Sequence, residues 1–272
     1  MLLDIWTEKY SIQWAGVYHL FLSEYPLIQD WELEKISAFI AYEKLNARTT
    51  QIICENKVLR DKIKDIERRP CKEFPYTPSS KIVASTYDEK GKYVYSDFLS
   101  HTCTVQVAKE IFRENKILSA VKAFRLSPEK LVQSSRNAAG DPADYFQYVM
   151  LGWSNTTSGY RLAMERLLER EPTKDELGPL FVPGVSFHFK YDDIIESDGY
   201  VFDGYHAAKV KDEISLNKLY LCIIPEDKRE VIEPLVQSYL VPKVFYLKYD
   251  GDGLSAWSEK VFNVVKNFVR LV

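Results

Sequence analysis

From Leu45 onward, apolar residues recur every seventh position at Leu45, Ile52, Leu59 and Ile66. Thr49, Asn56 and Ile63 fall at the alternate seam positions of the same heptad. Lys57, Arg60, Asp61, Lys62, Lys64 and Asp65 keep the other faces charged. That pattern predicts a helix with one apolar stripe. Upstream, only Gly16 and Pro26 interrupt the chain before Pro70, a composition that permits long helices. Asp30 can cap one of them, although Leu33 rather than Glu stands at its third helical position. Residues 1–70 therefore read as a helical arm. Its stripe either packs on its own domain or pairs with a second copy as a short coiled-coil homodimer through residues 45–66.

After Arg68-Arg69-Pro70 the rhythm changes. Residues 71–92 are rich in Pro, Ser, Lys and Tyr and read as a linker, with Glu89-Lys90-Gly91-Lys92 a turn. From residue 93 to 272, helix and strand patterns interleave. From Thr104 to Ile117, Val105, Ala108, Ile111 and Phe112 mark an amphipathic helix, and Leu118 to Val121 reads as a short extended piece. Ser127-Pro128-Glu129 starts a helix, with Ser127 as cap and Pro128 at its first position. Tyr160 to Arg170 reads as a further helix. Val185 to Tyr191 alternates as a strand should, and Leu219 to Ile224 is a buried strand stopped by Pro225. A short helix from Lys228 meets Pro234; Val244 to Leu247 predicts a last strand and Ala256 to Val269 a closing helix. The expected class is α/β (α+β), a mixed-sheet domain behind a helical arm.

Charge narrows the function classes. The net charge is −3, against the basic balance of a protein that grips nucleic acid mainly through phosphates. Cys54, Cys71, Cys103 and Cys222 are far apart with no CxxC pair, so they read as reduced thiols rather than a disulfide frame or zinc site. Asp4 and Glu8 stand where a signal peptide needs an apolar run, and no stretch is long and apolar enough for a membrane span. The expected location is the cytoplasm, without a membrane partner.

Three motifs recur in a recognisable order. His101-Thr102 ends a strand and is followed by a helix and then Ile117-Leu118-Ser119-Ala120. Ser134-Ser135-Arg136-Asn137 precedes Asp144-Tyr145-Phe146-Gln147-Tyr148-Val149. Asp212-Glu213-Ile214-Ser215-Leu216 lies just upstream of the buried strand ending in Pro225. This order, from about Tyr95 to Leu247, resembles the ADP-ribosyltransferases, nearest to the toxins of that group that modify DNA. The resemblance implies NAD as substrate and no metal, with Glu213 and His101 catalytic. His101 and Thr102 would lie at the NAD ribose, Arg136 at the pyrophosphate, and Tyr145 or Tyr148 against the nicotinamide. It also implies a nucleic acid or protein acceptor, an antitoxin or other regulator, and a role in phage defence. Lys211, two positions before Glu213, replaces the acid or glutamine usual in enzymes that modify arginine.

Two rivals compete. An interaction or regulatory protein could keep the fold without activity. A metal-dependent nuclease could use Asp203 with Glu213, ten residues on, and His188 or His206, but Ser215 stands where its lysine belongs. GxxxxGK[ST], GxGxxG and GxSxG are all absent, which excludes the P-loop, dinucleotide-fold and serine-hydrolase readings.

Overall fold

The computed structural model describes residues 1–6, 11–14, 16–68, 86–87, 93–94, 96–134, 137 and 140–268. Linker 71–92, apart from the Thr86–Tyr87 strand, and Arg136 lie outside them. The chain is α/β, with helices and mixed sheets. It divides into two compact units, each assembled from separate stretches of sequence. One comprises Met1–Val83, Ser119–Val149 and Asp198–Asp212; the other comprises Ala84–Leu118, Met150–Ser197 and Glu213–Val272.

The first unit overturns the helical arm. Its N-terminal part is a four-stranded sheet in the order Ile12–Trp14, Val17–Phe21, Leu2–Trp6, Gln51–Ile53. Leu2–Trp6 runs parallel to both of its neighbours, while Ile12–Trp14 and Val17–Phe21 are antiparallel. The local signal is period-two alternation: Leu3 and Ile5 are buried, as are Tyr18 and Leu20. Helix Asp30–Leu45 covers this sheet with Ile36, Phe39 and Ile40. It starts one residue earlier than the sequence suggests. Gln29 is the cap, and Glu32 accepts the Gln29 N–H at 2.8 Å from the third helical position.

The heptad does not form one helix. Strand Gln51–Ile53 interrupts it, and a new helix spans Lys57–Arg68. Asn56, expected at a coiled-coil seam, instead accepts the Leu59 N–H at 3.0 Å and so caps that helix. Leu59 and Ile63 are buried in the unit's own core with Ile52 packed beside them, so those stripe positions pack on their own domain and are not free for a second copy. Further on, Gly204 (φ +75) lies so close to the Lys35 carbonyl and the Phe39 amide of the long helix that no side chain could be placed there.

The second unit is built on a sheet in the order Met150 to Trp153, Phe98–Cys103, Val185–Lys190, Leu221–Pro225, Val244–Leu247. Its pairs are antiparallel except the last, which is parallel. Both faces are covered. Phe112, on helix Val105–Glu114, meets Phe187 at 5.3 Å between ring centres. On the other side, helices Ser158–Leu168 and Gly253–Asn267 bring Tyr160, Met164, Trp257, Val261 and Val265 onto Leu221 and Ile223. The close approach of the first of these helices depends on Gly159, where a Cβ would fall 2.7 Å from Thr102 Oγ1.

After residue 104 most local expectations hold. The amphipathic helix forms at Val105–Glu114, ending three residues before Ile117, with Thr104 as its cap, and Ser127 with Pro128 opens Pro128–Val132. The short helix Arg229–Ile232 gives way to a 3-10 turn at Glu233–Leu235, which contains Pro234. The piece expected to be extended at Leu118 to Val121 divides: Lys116–Leu118 is strand and Ala120–Phe124 is helix. Cys54, Cys103 and Cys222 are buried free thiols. Among the described residues, no helix is long and apolar enough to cross a membrane.

Candidate functional site

In the second unit, His101 and Thr102 lie near the end of strand Phe98–Cys103, with His101 opposite Phe187 and Thr102 opposite Ser186. His101 Nδ1 lies 3.5 Å from the Met150 carbonyl, and burial lowers the imidazole pKa. A neutral ring in this setting donates from Nδ1 and leaves Nε2 as an acceptor. Thr102 is partly buried against the helix that carries Gly159.

The chain then runs through helix Val105–Glu114 and turns at Asn115, whose left-handed backbone (φ 56) ends the helix. Strand Lys116–Leu118 follows and pairs antiparallel with Glu213–Ser215. Ile117 and Ile214 face each other in this pair and are buried, at 1% and 2% exposure. Their neighbours therefore point to the other side, and Lys116 Nζ lies 3.3 and 3.2 Å from the two carboxylate oxygens of Glu213. Glu213 keeps a little over a third of its side chain exposed, so the carboxylate is anchored yet reachable. Asp212, just before it, holds a left-handed φ of 68, a conformation that aspartate tolerates better than most side chains.

The same unit contains a buried polar chain. His188 accepts or donates at both ring nitrogens, to Ser154 Oγ at 2.9 Å and Ser186 Oγ at 2.8 Å, and Ser186 meets the Tyr160 hydroxyl at 2.8 Å. Burial drives the His188 pKa down to about 3. With both nitrogens occupied and the residue 1% exposed, His188 is a structural histidine and not a metal ligand.

In the first unit, Asp203, His206 and Lys209 form a buried ion cluster. Asp203 Oδ1 accepts the backbone N–H groups of Tyr205 (3.0 Å) and His206 (2.7 Å). Its Oδ2 lies 2.8 Å from His206 Nδ1 and 2.9 Å from Lys209 Nζ. Burial pushes the Asp203 carboxyl up, but the charges of Lys209 and His206 outweigh it and hold the group well below the usual carboxylate range. Burial lowers the Lys209 pKa against the pull of Asp203. The ammonium lies over the rings of Tyr42, Tyr145 and Tyr148, 3.5, 3.9 and 5.0 Å from their centres. Around it, Tyr42 donates to Asp144, and Arg48 bridges Asp144 and a bidentate pair with Glu43.

These positions settle the accessibility of several expected site residues. Tyr145 is fully buried in the Lys209 cage and has no open face for a nicotinamide, whereas Tyr148 is only partly buried. Asp203 is engaged by three hydrogen bonds from Tyr205 and His206 and by the Lys209 ammonium, a buried protein-satisfied setting rather than an open metal site. Among the described residues, no three His, Cys, Asp or Glu side chains are grouped to hold one. His101, Thr102 and Glu213 belong to the second unit, and Tyr145 and Tyr148 to the first. Sequence reasoning did not single out Lys116, Lys209, Arg48 or Asp144; Lys116 meets Glu213 across 97 residues and Arg48 meets Asp144 across 96. No family model matches the chain, and no curated protein or solved structure matches it significantly.

Proposed function

We propose that the chain is an NAD-dependent ADP-ribosyltransferase in which Glu213 is the catalytic carboxylate and His101 holds the nicotinamide ribose. One observation carries this reading. The strand that follows the His101-Thr102 strand and its helix pairs with the strand that carries Glu213, joining the first and last motifs of the pattern. A neutral imidazole at His101 suits hydrogen bonding to a ribose hydroxyl. Glu213 is exposed enough to meet that ribose. Thr102 lies beside His101 on the same strand.

In the reaction, the bond between the ribose C1′ and nicotinamide breaks, and its electron pair leaves with the neutral base. C1′ gains oxocarbenium character, which the Glu213 carboxylate stabilises. An acceptor nitrogen or oxygen forms the new bond to C1′ with its lone pair, and its proton passes to Glu213 and then to water. The acceptor belongs to nucleic acid, in keeping with the toxin-like pattern, and the protein would act as a defence effector.

The test is nicotinamide release from NAD by the purified protein beside Glu213→Gln. Release in the wild type, reduced about a hundredfold or more in the variant, supports the reading. Absence of release, with no NAD binding by calorimetry, overturns it and favours a non-catalytic interaction protein.

A further inference from the structure

Lys116 and Glu213 are not directly opposite in their strand pair. Lys116 faces Ser215, and Glu213 faces Leu118. The contact between them is the diagonal one, two residues out of register, which only long side chains on the same face can make. The turn at Asn115 and the hydrogen bond from Leu216 N–H to the Asn115 carbonyl (3.1 Å) fix that register at its open end. Tyr239 holds Asn115 from outside by donating to its Oδ1 at 2.6 Å.

The ammonium is nearly equidistant from both carboxylate oxygens, 3.3 and 3.2 Å. A carboxylate has about four lone-pair sites, and this arrangement occupies one on each oxygen. It fixes the rotation of the carboxylate. Both side chains are about a third exposed, a setting in which an ion pair adds little stability. Orientation is the larger effect.

We infer that Lys116 is a positioning residue for the reaction proposed above: it holds the Glu213 carboxylate in the rotamer that meets the ribose. This rests on the transferase reading of Glu213.

The experiment measures nicotinamide release, as kcat and KM for NAD, in Lys116→Met and Lys116→Arg, each with Glu213 and with Glu213→Gln. Lys116→Met is expected to lower kcat about tenfold with KM little changed, since a misoriented group acts mainly on the transition state. Lys116→Arg recovers most of the rate. In the Glu213→Gln background, Lys116→Met adds no further loss. Wild-type kcat in Lys116→Met, or an equal loss in both backgrounds, overturns the positioning role and leaves the transferase reading standing. A wild type that releases no nicotinamide overturns both.

Discussion

Replacing Lys209 with methionine removes a charge from the interior of the first unit while keeping most of the apolar stem. Lys209 and Asp203 are both 0% exposed and meet at 2.9 Å. At an effective dielectric near 20, two unit charges at that separation attract by about 6 kcal/mol. Desolvation of the two ions opposes this by several kcal/mol each, so the pair's net worth is small. Breaking it is another matter, because Asp203 would stay buried with its charge. That loss is typically about 3–5 kcal/mol. Here Asp203 keeps His206 and two backbone N–H donors, which points to the lower end, about 3 kcal/mol. The ammonium also leaves three tyrosine rings, worth about 1–2 kcal/mol when desolvated, within the same total. Thermal unfolding of Lys209→Met should fall by roughly 6–12 °C. The double variant Asp203→Asn/Lys209→Met should lose about 2 kcal/mol less than the sum of the singles, since it leaves no unpaired charge. Additive losses, or a Lys209→Met protein within about 1 kcal/mol of wild type, would refute the idea that the two charges depend on each other.

Two further outcomes follow from the second unit. The His188 pKa is lowered in the folded chain to about 3, against about 6.5 unfolded, so the folded state favours the neutral ring. Its contribution is full above pH 6.5 and is lost as pH falls toward 3, by at most about 1.4 kcal/mol per pH unit. Acid unfolding followed by tryptophan fluorescence should show that slope in wild type and a flatter one in His188→Gln; parallel curves would show that His188 is not the group being titrated. Gly159→Ala places a Cβ 2.7 Å from Thr102 Oγ1 and 3.0 Å from Thr102 Cβ. It should destabilise by about 1–3 kcal/mol, and adding Thr102→Ala should recover part of the loss in chemical denaturation. No recovery would mean that the helix moves as a whole instead of pressing on this one side chain.

Much of the second half was legible because its signals are local. A Ser-Pro helix start, the Val105–Phe112 apolar stripe, the Val185–Lys190 alternation and the apolar run before Pro225 each depend on residues a few positions apart. The N-terminal sheet was not legible from the absence of glycine and proline, since lack of breakers permits a helix without requiring one. Its real signal lay in short alternations such as Leu3 with Ile5 and Tyr18 with Leu20. Strands of three to five residues carry little of that pattern each. Asn56 shows the same ambiguity in one residue: seven-residue spacing suggests a coiled-coil seam, and only the break at Gln51–Ile53 makes it a helix cap.

Residue patterns alone were enough for the α/β class and most elements after residue 104. The surroundings of His101, Glu213 and Asp203 came from long-range packing. Register between distant strands brought Lys116 onto Glu213, and chain crossings gathered Tyr42, Asp144, Asp203 and Lys209 into one buried cluster. Burial then removed Tyr145 from any ligand and surrounded Asp203 with protein partners. The physical reason is range. Caps and alternation act within a turn or a strand, whereas desolvation and ion pairing depend on which residues the fold places together.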